Sequence, residues 1–277
     1  MIVERNLVGK LAKHIFVYLL LLIFITPFFL IILNSFKTTQ QFVTSPFALP
    51  ASFSLVNYAN AFARMSFLSA FANSFIITSI SVVLIIVTSA MTAHLLARNS
   101  WKVNKVVYAV LVASMIVPFQ AVMIPLVSIY GNTLHLMNSK WILIFMYVGF
   151  GQAFAMFIFH GFIKGIPLEL EETAFIDGCT KMQTFFKVVF PLLSPVVMTV
   201  LVLDVLWIWN DYLLPALVLL SPSMRTLPLS TYSFFSSYSV DYAPLMAGLV
   251  LTIVPVLVVY VFTQKQIIKG VVQGAIK

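Results

Sequence analysis

Long runs of apolar residues, separated by short polar segments, dominate the pattern along this chain of 277 residues. A helix needs about 20 apolar residues to cross the hydrocarbon core of a bilayer. Helices suit such runs because each backbone polar group is then bonded within its own segment. Six runs qualify, at approximately residues 14–33, 71–97, 106–128, 141–163, 188–212 and 244–263. The pattern predicts an all-α fold with six transmembrane helices, forming one domain over residues 1–277.

The composition excludes an ordinary soluble protein. Hydrophobic residues make up 61% of the chain, charged residues make up 9%, and the mean hydropathy is +1.06. Soluble domains carry about 25% charged residues, so this chain has too little polar surface to cover its core in water. The net charge of +8 does not indicate a nucleic-acid partner, because the basic residues are scattered between apolar runs instead of forming one stripe.

The basic residues also predict how the spans are oriented, since cytoplasmic segments are enriched in Lys and Arg. With both termini inside, twelve basic residues lie in the cytoplasm and four lie outside. The inside set is Arg5, Lys10, Lys13, Arg98, Lys102, Lys105, Lys164, Lys181, Lys187, Lys265, Lys269 and Lys277, and the outside set is Lys37, Arg64, Lys140 and Arg225. We expect a multi-pass protein of the inner or plasma membrane with cytoplasmic termini. Its first helix lacks the short apolar region and cleavage site of a signal peptide, and we expect it to be retained.

One predicted cytoplasmic segment, between the fourth and fifth spans, is acidic. It holds four of the eight acidic residues of the chain: Glu169, Glu171, Glu172 and Asp177. Pro167 suits the first turn of a helix, and acids in the first turns are stabilised by the helix dipole. Gly178 predicts a tight turn, and residues 180–190 predict a second short helix that ends near Pro191. The segment therefore predicts a helix–turn–helix with acids on its first arm.

Two interpretations of this acidic segment are open. It could be an amphipathic connector lying against lipid headgroups, although the negative charge of the inner leaflet disfavours three glutamates there. It could instead be a docking site for a soluble protein, which accounts for the acids and for the apolar side chains beside them. The second interpretation explains more of the sequence.

The spacing of glutamate, glycine and proline in this segment carries a family resemblance. The residues concerned are Glu172-Thr173-Ala174, then Gly178, then Val188-Val189-Phe190-Pro191. They resemble the EAA loop of binding-protein-dependent ABC importer permeases, in which Glu-Ala-Ala is followed by glycine and by an Ile-x-Leu-Pro ending. Thr173, Val188 and Phe190 depart from the commonest letters but keep their size or hydrophobicity.

The resemblance extends over nearly the whole chain and narrows to the carbohydrate-uptake branch, which includes maltose-type permeases. The supporting stretches are Asn34–Lys37, Asn73-Ser74, Ala97-Arg98, Ile166–Leu170, Trp209–Tyr212 with Pro215, Arg225–Pro228 and Gly270–Lys277. The resemblance implies a type I importer permease (MetI-like) fold, in which the acidic loop is a coupling helix seated in a cytoplasmic ATPase. The implied coupling residues are Glu169, Glu171, Glu172, Ala174, Asp177, Gly178 and Pro191.

The same resemblance implies the partners. They are a second, similar permease in a heterodimer, two cytoplasmic ABC ATPase subunits, an extracytoplasmic solute-binding protein and the surrounding bilayer. The chain has no GxxxxGK[ST] phosphate loop, since Gly9-Lys10 lacks the upstream glycine and a following Ser or Thr. We therefore expect a transporter subunit without catalytic residues, metal site or cofactor of its own, with ATP and Mg bound by the partner ATPase.

Five polar or aromatic residues in or beside the apolar runs are candidates for a sugar path. They are Asp204, Trp207, Asn210, Asp211 and Gln152. An ionisable residue at membrane depth is a functional candidate, and the i, i+3, i+7 spacing puts Asp204, Trp207 and Asp211 on one helical face. Asn210 and Asp211 come just before Pro215, so an interruption of the helix that lines a cavity is a second expectation there. The alternative for Asp204 and for Gln152 is packing against neighbouring helices. The hydroxyl side chains along 71–97 favour a packing seam, because small residues permit close helix contact in lipid.

The sequence therefore predicts the permease subunit of an ATP-driven, binding-protein-dependent importer for a sugar or oligosaccharide. Other solutes, such as glycerol phosphate, an amino acid or a peptide, remain alternatives. An ion-coupled secondary transporter is disfavoured, since it would need more intramembrane acids or broken helices as ion sites. A membrane scaffold without transport activity is the remaining alternative.

Overall fold

A computed structural model describes the backbone of residues 2–275, and within that range the fold is helical. Its extended structure is limited to one isolated antiparallel bridge between Phe235 and Val240 in the described part of the chain. The α-helices in chain order are α1 (Ile2–Ser35), α2 (Thr39–Thr44), α3 (Val56–Arg64), α4 (Phe67–Arg98), α5 (Lys102–Ser114), α6 (Phe119–Leu126), α7 (Lys140–Ile163), α8 (Glu169–Ile176), α9 (Lys181–Thr184), α10 (Phe190–Leu192), α11 (Ser194–Asn210), α12 (Leu213–Val218), α13 (Leu227–Ser230) and α14 (Tyr242–Ala275). Shorter helical segments are the π turns Val127–Thr133 and Phe185–Val189 and the 3₁₀ turns Pro222–Met224 and Thr231–Phe234.

Four helical segments are long and apolar enough to cross a membrane alone: Gly9–Ser35, Phe67–Arg98, Lys140–Ile163 and Tyr242–Val261. They match four of the predicted spans. The other two predicted spans, 106–128 and 188–212, are each a bent pair of helices. α5 meets Phe119–Thr133 at 96°, and Lys181–Leu192 meets α11 at 77°. The described part of the chain therefore has four candidate spans, or up to six if each bent pair counts as one.

Proline accounts for both breaks. Pro118 stands immediately before α6, and a residue that precedes proline is driven away from helical backbone angles, so α5 ends at Ser114. The second break falls at Leu193, between Pro191 and Pro195. Each of these two predicted spans is therefore interrupted by a sharp bend beside its prolines.

The chain divides into two compact units, residues 1–67 with 231–255 and residues 68–230 with 256–277. In the first unit a buried lysine holds the segment that follows α1. Lys37 donates to the carbonyl oxygens of Ser45 (3.0 Å) and Pro46 (2.9 Å). Burial lowers the pKa of its ammonium group. Asn57 donates to the carbonyl oxygen of Lys37 at 2.8 Å, which ties α3 to the same segment.

The second unit has its core among α4, α7 and α11. The fully buried side chains there include Ile85, Ala90, Tyr147, Phe159 and Val200. α4 and α7 approach closely at Gly151, where an added Cβ would lie 2.7 Å from Cδ1 of Ile85. A small residue at such a crossing allows tight packing in lipid.

Candidate functional site

The turn that follows α8 is closed by glycine. Gly178 has φ of +82°, a conformation that glycine adopts freely and that a β-branched residue would resist. The N–H of Cys179 donates to the carbonyl oxygen of Ala174 (2.9 Å), and the N–H of Gly178 donates to that of Phe175 (3.0 Å). This is the Schellman arrangement, which satisfies the last carbonyl groups of a helix. The predicted tight turn at Gly178 is therefore present.

The second arm starts with an equally local signal. The hydroxyl of Thr180 accepts from the N–H of Gln183 (3.3 Å), and the N–H of Thr180 donates to the side-chain oxygen of Gln183 (2.8 Å). This reciprocal pair is a capping box, which begins a helix by satisfying two otherwise unpaired N–H groups. α9 then runs into the π turn Phe185–Val189 and α10, so the predicted helix–turn–helix is present with a bulged second arm.

Glu171 points into the protein, unlike the other acids of this segment. Its side chain is 4% exposed, and each carboxylate oxygen has a partner on α4. Nε of Arg98 lies 2.7 Å from Oε1, and Nε2 of His94 lies 2.8 Å from Oε2. Arg98 also donates through Nη2 to the carbonyl oxygen of Ile166 (2.9 Å). We call Glu171, Arg98 and His94 the α4–α8 latch, because these contacts fix α8 to the end of α4.

The end of α4 also touches the second arm. The ring of His94 lies 5.3 Å from the ring of Phe185, centroid to centroid. Phe185 is buried and packs against Phe186 (5.0 Å) and Phe190 (5.9 Å). One end of α4 therefore contacts both arms of the helix–turn–helix.

His94 and Arg98 were not among the predicted site residues. A signal for them exists in the sequence: they are four residues apart on one helical face, at the end of α4 predicted to share the cytoplasmic side with the acidic segment. A carboxylate that is removed from water needs a charged or hydrogen-bonding partner. Periodicity alone did not indicate which of the four acids would be buried.

Of the remaining predicted coupling residues, one is buried and five are exposed to solvent. Ala174 is buried beside Glu171. The exposed predicted residues are Glu169, Glu172, Asp177, Gly178 and Pro191. Phe175 is 44% exposed and Ile176 is 85% exposed. We call Glu169, Glu172, Phe175 and Ile176 the α8 surface. It combines acidic with apolar side chains, which is the composition expected of a contact with a basic and partly apolar protein surface.

The structure separates the predicted sugar-path residues on α11. α11 ends at Asn210, and Asp211 follows in extended backbone, so the predicted helical face shared by Asp204, Trp207 and Asp211 is wrong. Asp204 is buried, and its Oδ2 has no hydrogen-bond partner among the described residues. Trp207 is 42% exposed. Asn210 donates to the backbone of its own helix.

Tyr147 of α7 brings two of these residues together, and the sequence pattern did not reveal it. Its hydroxyl donates to Oδ2 of Asp211 (2.9 Å), and its ring lies edge-on to Trp207 at 5.6 Å. The other oxygen of Asp211 accepts from the N–H of Leu213 (3.0 Å). Trp207 thus presents an exposed aromatic surface whose position is fixed from behind by a fully buried tyrosine.

Gln152 is engaged by α4. Its side-chain oxygen accepts from the hydroxyls of Thr88 (2.8 Å) and Ser89 (3.1 Å), and its amide group donates to the hydroxyl of Thr92 (3.2 Å). Hydrogen bonds of this kind join helices in lipid. The contacts correspond to the packing alternative for Gln152, and they place Thr88 and Thr92 in a seam between α4 and α7.

A separate apolar cavity of about 540 Å³ lies at the bend between α5 and α6. Its lining includes Phe119, Tyr130, Phe145 and Phe150, with Ser114 at the end of α5. None of the five predicted path residues lines this cavity. Hydropathy could not indicate it, because it exists only where Pro118 interrupts the helix.

Comparison with known proteins shows the family. Residues 85–271 match the family described as the binding-protein-dependent transport system inner membrane component. The chain is 42% identical over 256 residues to the probable starch degradation products transport system permease protein AmyC of Thermoanaerobacterium thermosulfurigenes, covering 92% of this chain and 93% of AmyC. It is 35% identical over 260 residues to the multiple sugar-binding transport system permease protein MsmG of Streptococcus mutans, covering 92% and 93%.

The fold has a close counterpart among solved structures. A chain of a bacterial ABC transporter involved in the import of the acidic polysaccharide alginate matches with a TM-score of 0.78 at 20% sequence identity. The match covers 94% of this chain and 96% of that one. The family, the relatives and the apolar helices together confirm the predicted resemblance and a multi-pass membrane location. This chain belongs to the binding-protein-dependent transport system inner membrane component family.

Proposed function

We propose that this chain is the membrane-spanning permease subunit of an ATP-driven importer that takes up a sugar or oligosaccharide delivered by a binding protein. The names of its relatives support a carbohydrate: starch degradation products for AmyC, multiple sugars for MsmG, and melibiose, raffinose and stachyose for MelC of Bacillus subtilis, which is 32% identical over 252 residues. In this proposal the whole chain, residues 1–277, acts as one domain with six spans, two of them bent.

The observation that carries the proposal is the arrangement of α8. The α8 surface is exposed, while the α4–α8 latch fixes the opposite side of the helix to a long span. A helix held in this way can receive a push from a soluble partner and pass it to the membrane-spanning part. We assign that partner as a cytoplasmic ABC ATPase, which binds the ATP and Mg, while this chain binds no cofactor.

The proposed assembly contains this chain, a different but similar permease, two ATPase subunits and an extracytoplasmic solute-binding protein. ATP binding closes the ATPase pair, and the α8 surface moves with it. The α4–α8 latch then carries the movement into α4, so that the two permeases turn from an inward-facing to an outward-facing state. The sugar enters from the binding protein and passes the exposed face of Trp207.

Uptake by the reconstituted assembly tests the proposal. Proteoliposomes that contain both permeases and the ATPase, supplied with the sugar-loaded binding protein, should accumulate labelled oligosaccharide only with ATP inside. Uptake that follows an ion gradient without ATP would instead support a secondary transporter, for which the unpaired Asp204 carboxylate would be the natural ion site.

The topology has its own test at Cys179, which is partly exposed and is the one cysteine of the chain. The positive-inside distribution predicts that this residue lies in the cytoplasm. In intact cells a membrane-impermeant maleimide should leave Cys179 unlabelled, and permeabilised cells should label readily. Strong labelling of intact cells would reverse the orientation and remove α8 from the reach of an ATPase.

The sugar path is tested by Trp207→Ala. Aromatic faces contribute about 0.5–1.5 kcal/mol to contacts beyond the area that they bury, so we expect uptake at sugar concentrations below saturation to fall about twofold to twelvefold. Trp141→Ala is the matched control, because Trp141 is 69% exposed at the start of α7 and is not a path residue. Equal uptake rates in the two variants would remove Trp207 from the path.

A further inference from the structure

A second cavity, distinct from the apolar one, lies where the end of α4, the start of α5 and the end of α7 meet. Its volume is about 280 Å³. Its polar lining consists of Asn99, Ser100, Asn104, Lys105, Tyr108, His160 and Lys164, and Leu96 and Ala97 complete it. Pockets for drug-sized ligands occupy about 300–1,000 Å³, so this cavity suits a small group.

The walls of this cavity are structured. The ring of His160 lies 4.3 Å from the ring of Tyr108, which joins α7 to α5. Asn104 is 8% exposed and donates to the carbonyl oxygen of Asn99 (3.1 Å), which joins α5 to the segment after α4. His160 is 7% exposed, and in the described part of the chain its ring has no hydrogen-bond partner. The cavity is therefore a built space between three helices with a buried imidazole free to bond.

The charge of the cavity is unbalanced. Lys105 and Lys164 both line it, and its lining contains no carboxylate. Neither lysine forms an ion pair with any residue that the structure describes. Glu171, the acid of the latch, already has both oxygens engaged by Arg98 and His94. Two exposed lysines that line a structured cavity without counter-ions among the described residues favour an anionic ligand.

The first turn of α5 adds to this preference. Asn104 and Lys105 belong to that turn, and Trp101 supplies no side-chain cap to the helix. The N-terminus of a helix carries partial positive charge and free N–H donors, which suit phosphate. This contribution supplements the lysines and would not define a site alone.

We propose that this cavity binds a phosphate group, with Lys105 and Lys164 as its cationic ligands and His160 and Asn104 as further hydrogen-bonding groups. The group could be the headgroup of an anionic phospholipid or a soluble phosphate compound. The positive-inside topology places the cavity at the cytoplasmic leaflet, where basic pockets between spans bind lipid headgroups. A bound phosphate would also brace the end of α4 that carries the latch residue Arg98.

Lipid retention by the purified full-length chain tests the proposal. The chain in mild detergent is mixed with equal amounts of phosphatidylglycerol and phosphatidylcholine, and native mass spectrometry reports the ratio of the bound lipids. Loss of one lysine contact with a bound phosphate lowers binding by about fivefold. Lys105→Gln/Lys164→Gln should therefore lower the preference for phosphatidylglycerol by about 25-fold.

Lys102→Gln is the matched control, since Lys102 is an exposed lysine in the same first turn of α5 and does not line the cavity. It should retain the wild-type lipid ratio. Lys105→Arg/Lys164→Arg should also retain it. If the double glutamine variant does not fold, each single variant gives the same comparison with an effect of about fivefold.

Equilibrium dialysis with labelled inorganic phosphate distinguishes the two sources. Saturable phosphate binding that the double variant loses, without a lipid preference in the wild type, would support the site with a soluble ligand. A lipid preference that the double variant loses would support the headgroup. The proposal is overturned if the wild type shows neither behaviour, or if the double variant equals the wild type in both measurements.

Discussion

The substitution Glu172→Lys should leave the protein in the membrane and abolish transport. Glu172 is exposed on the α8 surface and forms no ion pair within the described chain, so its replacement removes no internal contact. Reversing a charge against a complementary partner costs several kcal/mol. A loss of about 3 kcal/mol corresponds to an affinity for the ATPase that is lower by more than about 100-fold.

Three measurements made side by side test this expectation: abundance in the membrane, co-purification of the ATPase, and ATP hydrolysis stimulated by the sugar-loaded binding protein. Abundance should be unchanged, while the other two should be lost. Glu4→Lys is the control, since it makes the same charge reversal elsewhere on the predicted cytoplasmic side. Normal hydrolysis and uptake in Glu172→Lys would mean that the α8 surface is not the coupling contact.

The helix–turn–helix could be predicted from sequence because its signals are local. Gly178 is required by a positive φ, and the pair Thr180 and Gln183 has the spacing of a capping box. The direction in which each acid points depends on a helix more than 70 positions earlier in the chain. The pattern therefore predicted that α8 is acidic, but not that Glu171 faces His94 and Arg98 while Glu172 faces outward.

For the spans, composition predicted where the apolar helices lie but did not predict where their backbone bends. Hydropathy located every apolar run, because burial in lipid depends on composition summed along a segment. It could not locate the bends at Pro118 and Leu193, since the residues around both breaks are as apolar as those within the helices. The predicted face of Asp204, Trp207 and Asp211 failed for the same reason, because it assumed a helix that stops at Asn210.

The α4–α8 latch predicts a defect of a different kind from that of Glu172→Lys. Glu171 is 4% exposed and Arg98 is 16% exposed at the side chain, so their ion pair is largely removed from water. Breaking a buried pair by removing one partner costs about 3–5 kcal/mol, because the other charge is left without compensation. Glu171→Gln and Arg98→Gln should each lower the melting temperature of the permease itself, whereas Glu172→Lys should not.

The double variant Glu171→Gln/Arg98→Gln tests whether Glu171 and Arg98 act through their contact with each other or stabilise the protein independently. Two glutamines leave no unpaired charge and can bond to each other, so the double variant should be more stable than the sum of the single effects indicates, by about 1–3 kcal/mol. Transport should remain impaired, since a neutral pair holds α8 less firmly against α4 than a charged one. The double-mutant cycle compares the wild type, the two single variants and the double variant. For each of them the melting temperature, the co-purification of the ATPase and the sugar uptake are measured.

The combination of results identifies the role of the latch. If it transmits movement, the single and double variants should keep the ATPase bound, because the α8 surface is intact, yet couple its hydrolysis poorly to uptake. If the loss of melting temperature in the double variant equals the sum of the losses in the two single variants, Glu171 and Arg98 act separately. Full uptake in a double variant that is stable would show that α8 passes its movement through the contact between His94 and Phe185, or through the second arm alone, and not through this ion pair.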